Sequence, residues 1–209
     1  DDGVSDLIFY TNPMSRGRIA RWMLEEVGAP YETVVLDYGT TMKGPDYLAI
    51  NPMGEVPAIV HNGRAVTEGA AIVAYLAEAF PEAGLAPTAA ERANYYRWMF
   101  FAAGPLEAVT ADKALGVAPT ADQQRMVGYG SLDHVVDALE GAVKANPYIA
   151  GDRFTAADVF VGSHIAWGMQ FGTLPRRDAF DAYVARIMGR EAAARAREID
   201  DALMPQPVS

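Results

Sequence analysis

One stretch constrains the fold more tightly than any other: Asn51 to Leu76, NPMGEVPAIVHNGRAVTEGAAIVAYL. Asn51-Pro52 and Gly54 punctuate a turn. Val56-Pro57-Ala58-Ile59-Val60 is then a short β-branched run bounded by His61-Asn62-Gly63. Asn62-Gly63 is the pair a type I′ hairpin turn needs, because both central residues must accept positive φ. Arg64 to Val66 reads as the return strand and Thr67 as a helix N-cap. From Glu68 a helix runs with Ile72, Val73, Tyr75 and Leu76 on its apolar face until Pro81 closes it.

Pro57 opens its strand, where a missing N–H is tolerated. Two readings follow. Either Pro57 simply begins an edge strand and Thr67-Glu68 simply caps a helix, or the backbone of Val56 is left unclaimed and can pair with an extended peptide. In the second reading, Glu68 and Gly69 start a helix whose first N–H groups attract a carboxylate. Gly69 lets a ligand approach the backbone, and Glu68 is available to an amine. A small peptide with a free amine and carboxylate suits such a pair of sites.

Gly-x-Val-Pro, a hairpin, then Thr-Glu-Gly-Ala-Ala-Ile resembles the glutathione-binding half of the cytosolic glutathione transferases. The resemblance implies a thioredoxin-like N-terminal domain, a cis peptide at Val56-Pro57, and a glutathione site including Glu55, Val56, Pro57, Glu68 and Gly69. Most members have Ser where this chain has Gly69, which removes a hydroxyl from the carboxylate site but keeps the backbone N–H.

Upstream, Leu7 to Tyr10 reads as a buried strand, Ser15 to Val27 as a helix closed by Gly28, and Tyr31 to Leu36 as a second strand. A helix between them forces parallel pairing through a right-handed crossover. The expected order is βαβ-α-ββα, a mixed α/β sheet over 1–81. A linker at 82–87 leads to an all-α domain over 88–209. Within it, 88–115 is one helix or two, bent at Gly104-Pro105. Thr120 to Ala145 is another, and Thr155-x-x-Asp158 with Phe154 and Val159 predicts a capping box and staple. Helices at 178–189 and 191–203 complete the bundle. Phe154-Thr-Ala-Ala-Asp158 also resembles the family's capping motif in the C-terminal domain.

The first loop, Tyr10 to Arg18, lies at the C-terminal end of a parallel strand, where α/β sheets place ligands. Arg16, Arg18 and Arg21 crowd the start of the next helix, where each cation opposes the dipole by ~0.3–1 kcal/mol. An anionic ligand would offset them; alternatively Arg21 pairs with Glu25 and the others face water. The resemblance implies that a hydroxyl here donates to the glutathione sulfur. Lowering a thiol from ~8.5 to about 6.5 takes ~2.7 kcal/mol, and one hydrogen bond to a charged group supplies ~1.5–3 kcal/mol. Ser15, Tyr10, Thr11 and Asn12 compete. Ser15 is preferred because it matches the position of Ser- and Cys-using members and sits at a helix N-terminus. Tyr10 matches Tyr-using members. By the same analogy Lys43 meets the glycyl carboxylate, while Tyr95, Trp98, Met99, Phe101 and Ala102 wall the electrophile pocket. The alternative for these aromatic residues is core packing of the bundle.

Net charge is −10, which argues against nucleic-acid and anionic-membrane partners. The sequence contains 0 Cys, excluding a Cys nucleophile and thiolate metal sites. His61, His134 and His164 lack metal-ligand spacing, so no metal is expected. No run reaches the ~18 apolar residues of a membrane helix, and no charged-plus-apolar leader precedes Leu7, so a cytoplasmic protein is expected. The reading is a transferase that adds the glutathione thiolate to a hydrophobic electrophile, a detoxification chemistry, in a homodimer. The rivals are a glutathione-dependent isomerase, dehalogenase or peroxidase, or a non-catalytic binding protein of the same shape.

Overall fold

The computed structural model describes residues 6–207, which form two compact units. The first holds the residues up to Gly84 together with those from Arg190 onward, and the second runs from Leu85 to Gly189.

In the first unit the chain runs β1 (Leu7–Thr11), α1 (Gly17–Val27), β2 (Glu32–Val35), a 3₁₀ turn at Thr41–Lys43, α2 (Pro45–Leu48), β3 (Ala58–His61), β4 (Arg64–Thr67) and α3 (Gly69–Ala79). The sheet order is β2-β1-β3-β4. β1 pairs parallel with β2 and antiparallel with β3, and β3 pairs antiparallel with β4. The mixed sheet and the βαβ-α-ββα order are those expected. Asn62 and Gly63 have φ of 51° and 78°, both in the left-handed region that the turn requires. α1 packs on β1 and α3; its Ile19, Met23 and Leu24 are buried, as are Phe9, Ile59, Ile72 and Leu76. Gly17 opens α1 over Thr11, and a Cβ there would strike the Thr11 hydroxyl. A smaller cluster of Leu36, Met42, Tyr47 and Ala58 gathers Tyr10, Ile50 and Val56.

The last helix, α9 (Glu191–Ala202), belongs to this unit, whereas the sequence groups it with the helical bundle. Its buried stripe of Ala192, Ala193, Ala196 and Asp200 meets α1. There Asp200 Oδ1 pairs with Arg21 Nε at 3.2 Å, with both side chains buried. Such a charge must find its partner inside the fold, and 179 residues of separation hide that partner from local pattern.

The second unit holds α4 (Arg92–Phe101), α5 (Glu107–Ala114), α6 (Leu132–Ala145), α7 (Ala156–Phe171) and α8 (Asp178–Met188). Leu85 is buried and its carbonyl accepts the Ala156 N–H at 2.9 Å, so the expected linker is partly built into this unit. Pro105 is accommodated by a π-helical turn over Ala102–Leu106 between α4 and α5, a common way of re-bonding an interrupted ladder. The helix expected from Thr120 starts only at Leu132. Gly128 and Gly130 adopt φ of 73° and 72°, which end regular helix, and Ser131 then caps α6 through the His134 N–H. The predicted capping box is present. Asp158 also accepts from Ile149 N–H at 2.8 Å and the Tyr183 hydroxyl at 2.6 Å. No helix among the described residues is long and apolar enough to cross a membrane.

Candidate functional site

The sheet register sets the geometry. Tyr10 is opposite Ala58, and Ala58 is opposite Thr67, so three features leave the same end of the sheet. The loop after β1 departs next to Pro57, and β4 passes directly into Glu68 and α3. Strands lie ~4.8 Å apart, so β1 to β4 across β3 spans roughly 10 Å. That is the length of three extended residues.

Val56-Pro57 is cis, and β3 begins only at Ala58. The carbonyl of Glu55 is gripped from inside by the Tyr47 hydroxyl at 2.6 Å and Asn51 Nδ2 at 2.8 Å. Among the described residues no backbone partner meets Val56. Burial pushes the Tyr47 hydroxyl up to about 12, with proximity to Tyr10 adding to it, so Tyr47 stays a donor. Gly54 takes φ of 60°, and a Cβ there would crowd the Lys43 side chain, Leu48 and the Met42 carbonyl. Lys43 is exposed, with Nζ 3.1 Å from the Met53 carbonyl.

At the start of α3 the residue outside the helix is Glu68, not Thr67, which ends β4. Glu68 adopts φ 73° and ψ 121°, a conformation costing of order 1–3 kcal/mol for a residue with a side chain. Strain of this kind concentrates at binding sites. The first helical backbone bond is from Ile72 N–H to the Glu68 carbonyl at 2.9 Å. The N–H groups of Gly69, Ala70 and Ala71 precede it and have no backbone acceptor among the described residues.

The loop after β1 distinguishes the four hydroxyl and amide candidates. Tyr10 is half-buried and packs on Tyr47, ring centroids 5.5 Å apart. Thr11 is buried, its hydroxyl 3.5 Å from the Asn12 carbonyl. Asn12 is consumed by structure: Nδ2 donates to the Leu36 carbonyl at 2.7 Å and Oδ1 accepts the Met14 N–H at 2.9 Å. Ser15 is half-buried at the N-terminus of α1. Its hydroxyl donates to the Asn12 carbonyl at 2.6 Å and accepts the Gly17 N–H at 2.9 Å.

Two of the three crowded arginines are answered from within. Arg18 Nη1 meets Asp201 at 2.9 Å and Arg21 meets Asp200, so α9 supplies the anions for which a ligand seemed necessary. Arg21 does not pair with Glu25. It also donates to Thr33 at 2.8 Å and lies over the rings of Phe9 and Tyr31. Glu25 instead accepts the Tyr31 hydroxyl at 2.7 Å. Burial, then that bond, pushes Tyr31 up to about 12. Burial also holds Asp200 above its ordinary value despite the neighbouring Arg21.

Trp98 and Phe101 stand on α4 in the other unit, in edge contact at 5.2 Å. Tyr95, Trp98, Met99 and Ala102 are buried. Trp98 also lines a groove of about 320 Å³ with Asn94, Asp137 and Ile149. Among the described residues no group of three His, Asp or Glu side chains could hold a metal ion. Local sequence marked Arg18 only as a cation at the helix start and Asn51 only as part of a turn, and did not point to Tyr47 or to any of the contacts these three make. Each acts on a backbone carbonyl, a role with no side-chain signature.

Residues 14–79 match the model of the glutathione S-transferase N-terminal domain, and residues 70–167 that of the C-terminal domain. Glutathione S-transferase 3 of Zea mays is 33% identical over 168 residues, 74% of this chain and 75% of the relative. Glutathione S-transferase GST-4.5 of Xanthomonas campestris is 29% identical over 86% of this chain and 91% of its own. The theta class glutathione S-transferase of Xanthomonas axonopodis, solved with glutathione bound, superposes with a TM-score of 0.72 at 27% identity, covering 92% of this chain and 97% of that one. This chain belongs to the glutathione S-transferase family.

Proposed function

We propose that the enzyme takes glutathione as its co-substrate at the end of the sheet where Val56, Glu68-Gly69 and Ser15 converge. The observation that carries this reading is the shared row Tyr10, Ala58, Thr67. It brings an open main-chain edge, the unbonded N–H groups at the start of α3 and the beginning of the loop that carries Ser15 to one end of the sheet. The cysteinyl residue pairs with Val56. A carboxylate rests on the N–H groups at Gly69, and the Glu68 carboxylate takes the amine. Lys43 exchanges the neutral Met53 carbonyl for the glycyl carboxylate.

The sulfur arrives beside Ser15 and competes with the Asn12 carbonyl for the hydroxyl proton. A thiolate is the stronger acceptor, and the start of α1 favours negative charge. The thiolate then adds to a hydrophobic electrophile. The protein acts in the cytoplasm as a homodimer, with detoxification as its chemistry. Retention on immobilised glutathione, followed by turnover of an activated aryl halide, tests the reading. It fails if the protein is not retained and calorimetry gives no heat with the tripeptide. Peroxide reduction without aryl conjugation would favour the peroxidase rival.

A further inference from the structure

Three successive carbonyls of the opening loop are each met by a side-chain donor. Ser15 Oγ meets Asn12 at 2.6 Å, Arg18 Nε meets Pro13 at 2.6 Å, and the Tyr38 hydroxyl meets Met14 at 3.1 Å. The middle contact stands apart because the peptide joining Pro13 to Met14 is gripped at both ends. Its carbonyl accepts from Arg18, and its N–H donates to Asn12 Oδ1 at 2.9 Å. A peptide is planar, so two grips on opposite edges fix its rotation, and that rotation aims the next residue but one, Ser15.

Arg18 in turn is fixed at its far end. Nη1 lies 2.9 Å from Asp201 Oδ1 at the C-terminal end of α9. A guanidinium carries its donors in a rigid fork, so one side chain serves both contacts with little freedom left. We propose that Arg18 is a positioning residue for the sulfur site, and that α9 is thereby part of the active-site framework. This rests on reading the Ser15 loop as the sulfur site.

Two simpler explanations account for less. The first is that the Arg18–Asp201 pair serves to dock α9. Docking is already secured by the buried Arg21–Asp200 pair and the alanine stripe. The Arg18–Asp201 pair is 25% and 68% exposed, a class of contact that contributes little to stability. The second is that Arg18 merely stabilises α1. It sits in the first turn of that helix, where a cation is unfavourable. Bridging the loop to α9 explains why it is there.

Arg18→Lys and Asp201→Asn separate these ideas in the full chain. Lysine keeps the charge but not the two-ended fork, and Asp201 is exposed enough that its change leaves the fold intact. The expected result for both is turnover reduced about fivefold, with the KM for glutathione and the thermal midpoint unchanged. The titration of bound glutathione, followed by thiolate absorbance, moves to higher pH. Wild-type turnover and titration in Arg18→Lys overturn the proposal, as does a loss matched by a lower thermal midpoint. Ser15→Ala run in parallel distinguishes the two levels. If it shifts the titration and Arg18→Lys does not, positioning fails alone. If Arg18→Lys shifts it and Ser15→Ala does not, the loop is positioned as proposed but the sulfur is held by another group.

Discussion

The Ser15 hydroxyl is already engaged, and this sets how much it can contribute. Its proton lies on the Asn12 carbonyl at 2.6 Å, so stabilising a thiolate means exchanging one acceptor for another. A hydrogen bond to a neutral carbonyl contributes ~0.5–1.5 kcal/mol and one to a charged group ~1.5–3 kcal/mol. The net gain is about 1–1.5 kcal/mol, or roughly one pKa unit at ~1.36 kcal/mol per unit. The remainder of a two-unit shift must come from the start of α1. Ser15→Ala is therefore expected to raise the pKa of bound glutathione by about one unit, measured by ultraviolet titration of the binary complex. Well below both pKa values this cuts the thiolate fraction about tenfold, and at pH 7, between about 6.5 and 7.5, about threefold. A more basic thiolate is intrinsically more reactive, which returns roughly a factor of three. Turnover at pH well below both pKa values should fall three- to tenfold by these estimates, and the deficit should narrow at pH 7 and vanish above both. An unchanged titration, or a deficit that persists at high pH, refutes the reasoning. A wild-type Ser15→Ala together with a shifted Tyr10→Phe reassigns the donor.

Asp200→Asn leaves the buried Arg21 guanidinium without its counter-charge. Breaking such a pair costs ~3–5 kcal/mol, measurable by denaturant unfolding, and wild-type stability would contradict the pairing. Gly17→Ala drives a methyl into the Thr11 hydroxyl beside the Ser15 hydroxyl and should lower the thermal midpoint and turnover together. Tyr31 and Tyr47 are both held at about 12 against an ordinary 10.0. Between these values the folded state keeps protons the unfolded chain releases, so stability falls as pH rises. Tyr47→Phe should make that alkaline loss shallower. An unchanged slope counts against the Tyr47 contribution.

The parts of this fold legible in sequence are those set by short-range chemistry. Asn62-Gly63 admits one kind of hairpin, Gly28 stops α1, and Thr155-x-x-Asp158 starts α7, each within four residues. The illegible parts depend on partners far away in the chain. Arg21 looks one turn ahead to Glu25, yet its carboxylate comes from Asp200, and that choice moves α9 from the bundle to α1. The helical spacing after Thr120 is real, but Gly128 and Gly130 override it. At the site, residue types and order point to Ser15, while the present acceptor of its proton is a backbone carbonyl that no pattern encodes. The same holds for Tyr47 and Asn51, whose grip on the Glu55 carbonyl leaves the neighbouring Val56 edge open.

A crystal structure of the protein grown with glutathione tests the central claim most directly. The account predicts the cysteinyl backbone paired with Val56, the amine beside Glu68, and the sulfur about 3 Å from Ser15 Oγ. A tripeptide bound elsewhere, or a sulfur resting on Tyr10 with the Ser15 hydroxyl still turned to Asn12, would contradict it.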